Sequence, residues 1–203
     1  MKYFNICLWL IAFSGFLISC DNETETRNTE TIAVDSVQTA QIPLTEYSEA
    51  FKNLIKSNQG VFRGVRLGME FTEVKKLEDT TQMEEQATDH IDYMVNLPRL
   101  ETAEVRYIFD PNQKLSRIEV NIYPKSKDSQ DSLYTELKNY YTSKYGSGSD
   151  SSESSMKWEH KKEDVFISME KKDTQKVHDI SITITSLIRQ SALILKEALP
   201  VEP

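Results

Sequence analysis

Six short stretches of this chain place large, mostly apolar side chains at every second position, and that period decides most of what it can fold into. They are Ile91, Tyr93, Val95 and Leu97; Val105, Tyr107 and Phe109; Ile118, Val120 and Ile122; Met156, Trp158 and His160; Val165, Ile167 and Met169; and Ile180, Ile182 and Ile184. Successive side chains of a strand point to opposite faces, so each stretch predicts a strand with one buried face. "DPNQK" (Asp110 to Lys114) reads as a hairpin turn, and "KKED" and "KDTQK" are connections of similar length. Links this short require antiparallel neighbours. Arg106, Arg117, Glu119 and Asn121 fall on the opposite face, which predicts that this side is solvated or only partly covered.

Helical spacing fills the gaps. Tyr47, Ala50, Phe51, Leu54 and Ile55 repeat on one face, with Thr45 as the expected N-cap and Gly60 as the stop. A short extended lead-in with Val61, Val65 and Leu67 on one face precedes a second helix marked by Phe71, Val74 and Leu77. Leu133, Leu137, Tyr140 and Tyr141 predict a longer helix, capped by Ser129 or Asp128 and ended at Gly146, where glycine removes the penalty of a left-handed terminal residue. "SGSDSSESS" (147–155) reads as a flexible loop. Ile188, Ala192, Leu195 and Leu199 predict a last amphipathic helix before Pro200.

The expected fold is therefore α+β: an antiparallel sheet of about six strands with helices on one face and an extra helix at each end. The element order suggests two helix-plus-three-strand units in tandem, over 69–123 and 128–187, an inference from order and not from residue identity. A body of roughly 150 residues can bury about 70% of its unfolded surface, enough for a core without disulfides.

Ahead of this body, Lys2 precedes the apolar run "FNICLWLIAFSGFLI", and the small Ser19 precedes Cys20. This is the layout of a secretory signal. A membrane-spanning helix fits less well, because it needs roughly 20 apolar residues, while this run is interrupted by Asn5 and Ser14 and has no positive charge on its far side. The residues Leu17, Ile18, Ser19 and Cys20 also resemble the lipobox of bacterial lipoproteins. That resemblance implies cleavage between Ser19 and Cys20, attachment of diacylglycerol to Cys20, and acylation (palmitate or similar) of the new amino terminus. Residues 1–19 are then a lipoprotein signal peptide. Two or more acyl chains give stable anchoring where one gives only marginal binding. Removing Lys2 with the signal takes the formal charge from −8 to −9.

Asp21 to Pro43 is rich in Thr, Glu, Asn and Gln and cannot bury enough apolar surface to offset its ordering entropy. Residues 20–43 are read as the lipidated cysteine and a disordered tether, spanning about 26 Å as a coil and about 80 Å if fully extended; residues 44–203 form the α+β domain. An acid directly after a lipidated cysteine resembles an inner-membrane retention signal in some bacterial lipoproteins and part of a surface-export signal in others; it also serves as plain polar spacer. The expected location is the bacterial cell envelope, with the outer membrane favoured and the periplasmic or surface face left open.

"LGMEFTEVKKLE" resembles the helix-opening motif of the SmpA/BamE outer-membrane lipoproteins at Gly68 to Val74, with Glu73 at the acid position and Glu70 where that family has Thr or Ser. The physical content is a capping box. The family has a single three-stranded sheet, so the likeness implies a helix start and not a role in barrel assembly.

Composition and motifs exclude more than they assign. A net charge of −8 offers no basic stripe for phosphates, so no nucleic-acid partner is expected. Two cysteines, Cys7 and Cys20, leave a mature chain with one, which excludes an internal disulfide and a cysteine-built metal site. His90, His160 and His178 show no HxH or HExxH spacing. The acidic stretch Leu77 to Asp92 lacks the loop spacing and central glycine of an EF-hand and reads as a solvated loop. The serines of 147–155 have no nucleophile-elbow context. No catalytic, cofactor or metal residue is assigned; Cys20 is the functional residue. His90 and His178 stand beside Asp89 and Asp179. Tyr134, Tyr140, Tyr141, Tyr145 and Trp158 form either an exposed recognition surface or core, with core expected for Tyr140 and Tyr141. The expectation is a membrane-anchored, non-catalytic domain that binds another envelope component, most simply a protein. The alternative is a small-ligand binder or hydrolase-type enzyme with a carboxylate–histidine site assembled across strands.

Overall fold

A computed structural model describes residues 43–174 and 177–190. The signal peptide, Cys20, the tether and residues 191–203 of the C-terminal amphipathic stretch lie outside the described residues.

The chain enters through a 3-10 turn, Leu44–Glu46, which contains the expected cap Thr45. The helix α1 starts later, at Glu49–Ile55, because Ser48 and not Thr45 caps it: the Phe51 N–H donates to Ser48 Oγ at 3.2 Å. It also stops before Gly60, at Lys56 with φ 60°. Gly60 instead closes a tight turn, where an added Cβ would lie 2.2 Å from the Val65 carbonyl oxygen. Helix α2 covers Phe71–Leu77 with Glu70 at its N-cap. The Glu70 N–H donates to Glu73 Oε2 at 3.0 Å, while the Glu70 carboxylate pairs with Lys114 on the neighbouring hairpin.

The strands are β1 (Met83–Gln86), β2 (His90–Asn96), β3 (Thr102–Phe109) and β4 (Leu115–Tyr123). After helix α3 (Lys127–Tyr145) come β5 (Ser149–Ser152), β6 (Ser155–His160), β7 (Val165–Asp173) and β8 (His178–Thr185). All pair antiparallel in one eight-stranded sheet of order β1-β2-β3-β4-β8-β7-β6-β5. Each half is a meander that begins at an outer edge and ends at the centre, where β4 meets β8. The sheet thus has eight strands and not six, and each half carries four. The two additional strands lie in the stretches "MEEQ" and "SDSS". These sit at the sheet edges, where a strand has one neighbour and hydrogen bonding to it suffices without an apolar face.

Helix α3 is capped by Ser126, whose Oγ accepts from the Ser129 N–H, so neither Ser129 nor Asp128 is the cap. Gly146 ends it at φ 87°. The buried Gln130 on this helix donates to the carbonyls of Lys172 (2.8 Å) and Asp179 (2.9 Å), fixing α3 to the ends of β7 and β8.

The core lies between the helices and one face of the sheet, and the alternating residues of β2–β4 and β6–β8 supply its floor. Aromatic contacts run across it from Tyr47 on Phe51 (centroids 4.1 Å) through Tyr140 (5.4 Å from Phe51) and Tyr141 (5.2 Å from Tyr140) to Trp158 (5.4 Å from Tyr141). Tyr134 and Tyr145 are buried as well, so the aromatic side chains of α3 are core and form no exposed recognition surface. Burying such rings stabilises through removed area and through edge contacts of about 0.5–1.5 kcal/mol per pair. Phe62 is fully buried although the extended pattern put Val61, Val65 and Leu67, and not Phe62, on the inward face. A hairpin bridge between Phe62 and Val65, with Arg63 and Gly64 at positive φ, turns it in.

Candidate functional site

The opposite face of the sheet is assembled by cross-strand register. Asp92 lies opposite Arg106, Arg106 opposite Glu119, and Glu119 opposite Thr183. Thr183 faces Ser168, and Ser168 faces Lys157. This row crosses six strands, about 24 Å at the usual strand spacing. The Arg106 guanidinium donates to both Asp92 oxygens, Nε to Oδ1 at 2.8 Å and Nη2 to Oδ2 at 2.5 Å. That pairing raises the arginine's proton affinity further.

The histidines stay apart. His90 opens β2, and its Nδ1 is 2.8 Å from Asp89 Oδ1, leaving Nε2 3.7 Å from Glu85 Oε1 on β1. Glu85 and Asp92 are cross-strand partners, and one ligand atom each from Glu85, His90 and Asp92 come within 4.8 Å of one another. An H-x-D spacing on a strand was the sequence signal for this group; His and Asp two residues apart share a face. The group is at the sheet edge, and Arg106 holds both oxygens of Asp92. His160, at the end of β6, has its ring 5.4 Å from the Tyr145 ring. His178 bonds Asp173 Oδ1 at 3.0 Å and not the adjacent Asp179, because strand pairing sets Asp173 opposite it. Lys127 shares that carboxylate at 2.7 Å, and together they hold its pKa below the ordinary aspartate value.

Clefts flank the helix layer. One, about 480 Å³, is lined by Lys144, Arg66 and Glu163 among others. Lys144 Nζ donates to the carbonyls of Asn58 (2.9 Å) and Gly60 (2.6 Å) and stands 5.2 Å from the Tyr140 ring centroid. Burial lowers its pKa to about 8, against a smaller opposing pull from Glu163. Another cleft, about 650 Å³, lies where α1, α3 and the 3-10 turn Pro98–Leu100 meet. Glu136 Oε1 and Oε2 accept from the Ser48 N–H and hydroxyl, both at 2.7 Å, which ties α3 to the start of α1. Arg99 and Leu100 both have left-handed backbone, φ 63° and 62°, and leave Leu100 83% exposed. Sequence reading did not single out Glu101, Arg63 or Lys144, since a charged side chain is ordinarily exposed and only the tertiary fold buries the first two and half-buries Lys144.

Among the described residues, no helix is long and apolar enough to cross a membrane. Comparison of the chain with protein-family models, with curated proteins and with solved structures gave no match.

Proposed function

We propose that this chain is a bacterial lipoprotein, anchored through Cys20 in the cell envelope, whose α+β domain binds another envelope protein and performs no chemistry of its own. The observation that carries the reading is the sheet face opposite the helices. There an in-register row of paired charges and hydroxyls, from Asp92 to Lys157, spans most of the sheet width. A broad surface with charge and hydroxyl groups held in fixed register suits recognition of a folded partner, because it sets register and excludes wrong partners by charge. The "LISC" lipobox and the polar tether support the anchor, with the outer membrane as the favoured location. The finer architectural reading, that 69–123 and 128–187 are two structurally similar units in tandem, belongs to the same proposal.

Two experiments test it. Fractionation of wild type beside Cys20→Ala is expected to release only the variant from membranes; if both stay membrane-bound after signal processing, the anchor is wrong. Crosslinking in envelopes is expected to capture a partner that is lost with Thr183→Arg, a change on the solvated face that leaves urea unfolding near wild type. No partner above background, or the same partner with Thr183→Arg, overturns the binding reading.

The alternative, a small-ligand binder or hydrolase-type enzyme with a site assembled across strands, draws on the Glu85, His90 and Asp92 group alone. The Arg106 bidentate pair weighs against it, since it uses the carboxylate such a site would need.

A further inference from the structure

The cleft at the start of α3 carries chemistry that the sheet face does not use. Glu101 is only 3% exposed. Its Oε1 accepts from Ser129 Oγ at 2.6 Å and from the Lys125 N–H at 3.2 Å. Its Oε2 has no hydrogen-bond partner among the described residues, yet it is not one of the polar atoms sealed from solvent. Glu101 lines the cleft. A buried carboxylate with no cation beside it carries a desolvation penalty that a matching positive charge relieves.

The surroundings specify the charge and shape of what fits. Glu49, Asp128 and Glu136 line the same cleft, and among the described residues Arg99 is the one cation in its lining. The N-termini of α1 and α3 each add about half a positive charge. Glu49 is paired with Lys52, so three carboxylates remain against one guanidinium and two half-charges, and the cleft stays electronegative. Its remaining walls include Ala50, Pro98 and Leu133, which suit an alkyl stem better than a hydrated ion.

We propose that this cleft binds an organic cation on an apolar stem, an ammonium or guanidinium of the lysine or arginine kind, with Glu101 Oε2 as its principal acceptor. The site stands independently of the sheet face and holds whether or not that face has a partner.

The test is titration of the full-length, detergent-extracted protein with three probes, followed by calorimetry. These are Nα-acetyl-lysine methylamide, Nα-acetyl-arginine methylamide, and a glycine-flanked lysine pentapeptide. Saturable binding that weakens with salt is expected, with a loss of about tenfold or more in Glu101→Gln, which keeps the shape but presents an amide donor to the cation. Ser132→Arg, an exposed position on the cleft wall, is expected to fill the site with its own guanidinium and abolish binding, whereas Glu153→Gln on a distant turn binds as wild type. Binding of the free amides assigns the site to a small cation, and binding of the peptide alone to a side chain of a polypeptide; either supports it. No saturable binding by any probe, or binding undiminished in both Glu101→Gln and Ser132→Arg, overturns it. Crosslinking lost with Thr183→Arg reads the other surface, so the two proposals fail separately.

Discussion

Arg63 holds both carboxylate oxygens of Glu78, with Nε 2.7 Å from Oε1 and Nη2 2.9 Å from Oε2, in a pair almost wholly removed from water. The third guanidinium nitrogen, Nη1, donates to the carbonyls of Asn53 (2.7 Å) and Leu54 (2.9 Å) at the end of α1. The Tyr107 hydroxyl, from the middle of β3, donates to Glu78 Oε1. One ion pair therefore joins α1, the end of α2 and the sheet. Removing one partner strands the other, so Glu78→Ala is expected to cost about 3–5 kcal/mol. The double variant Arg63→Met/Glu78→Leu is expected to cost less than the sum of the singles. Urea unfolding of the set checks this; additive losses refute it.

Two buried tyrosines separate hydrogen bonding from packing. Tyr107 donates to a carboxylate, and Tyr107→Phe is expected to destabilise by about 1–3 kcal/mol. The Tyr141 hydroxyl is buried without a partner among the described residues, so Tyr141→Phe removes an unmet polar group and is expected to leave stability within about 0.5 kcal/mol or raise it. A matched loss of urea midpoint in both variants would contradict the assignment.

Lys144 sets a pH dependence whose sign follows from burial. Its pKa is about 8 when folded against 10.5 ordinarily, so between those values the folded protein binds fewer protons than the unfolded chain. Stability then rises with pH through this window, and the penalty of the buried charge is present in full below it. Tyr140, Tyr141 and Tyr145 are held above the ordinary 10.0 by burial and reverse the slope at higher pH. Denaturant midpoints from about pH 8 to about pH 9.5 are expected to climb in wild type relative to Lys144→Met. A constant difference between the two would show that Lys144 does not titrate there.

Arg106 is expected to keep metal ions from the β1–β2 edge. Arg106→Ala releases both oxygens of Asp92 beside Glu85 and His90, and the His90 Nδ1 contact with Asp89 resembles the carboxylate–histidine support of many zinc sites. Zinc is expected to raise the melting temperature of Arg106→Ala by several degrees more than that of wild type. Equal shifts would mean that the guanidinium does not guard the group.

The inward rows of six strands were legible because core contact imposes a period of two on residues such as Ile118, Val120 and Ile122. The edge strands were not, since Met83–Gln86 and Ser149–Ser152 rest mainly on backbone pairing and carry no alternating apolar row, Met83 alone touching the core. Caps were legible in kind but not in position: Thr45 and Ser48 offer the same hydroxyl, and only the reach of Glu136 to Ser48 distinguishes them. Glu101 and Arg63 were hidden for a different reason. Their burial depends on partners brought in by tertiary folding, as with Ser129, 28 residues beyond Glu101, which no local window contains.

The central ladder pairs Ile118 with Ile184, Val120 with Ile182 and Ile122 with Ile180. A chain made from its N-terminus finishes β4 long before β8 exists, so the first half waits with an open middle edge for some sixty further residues. Contacts this distant in sequence are slow to form. The β5–β8 meander is thus a cap that arrives late, and a fragment ending after Tyr123 would keep β4 exposed as a template for pairing with other chains. For this protein, closure of the sheet waits on the synthesis of β8, however early β1–β4 are made.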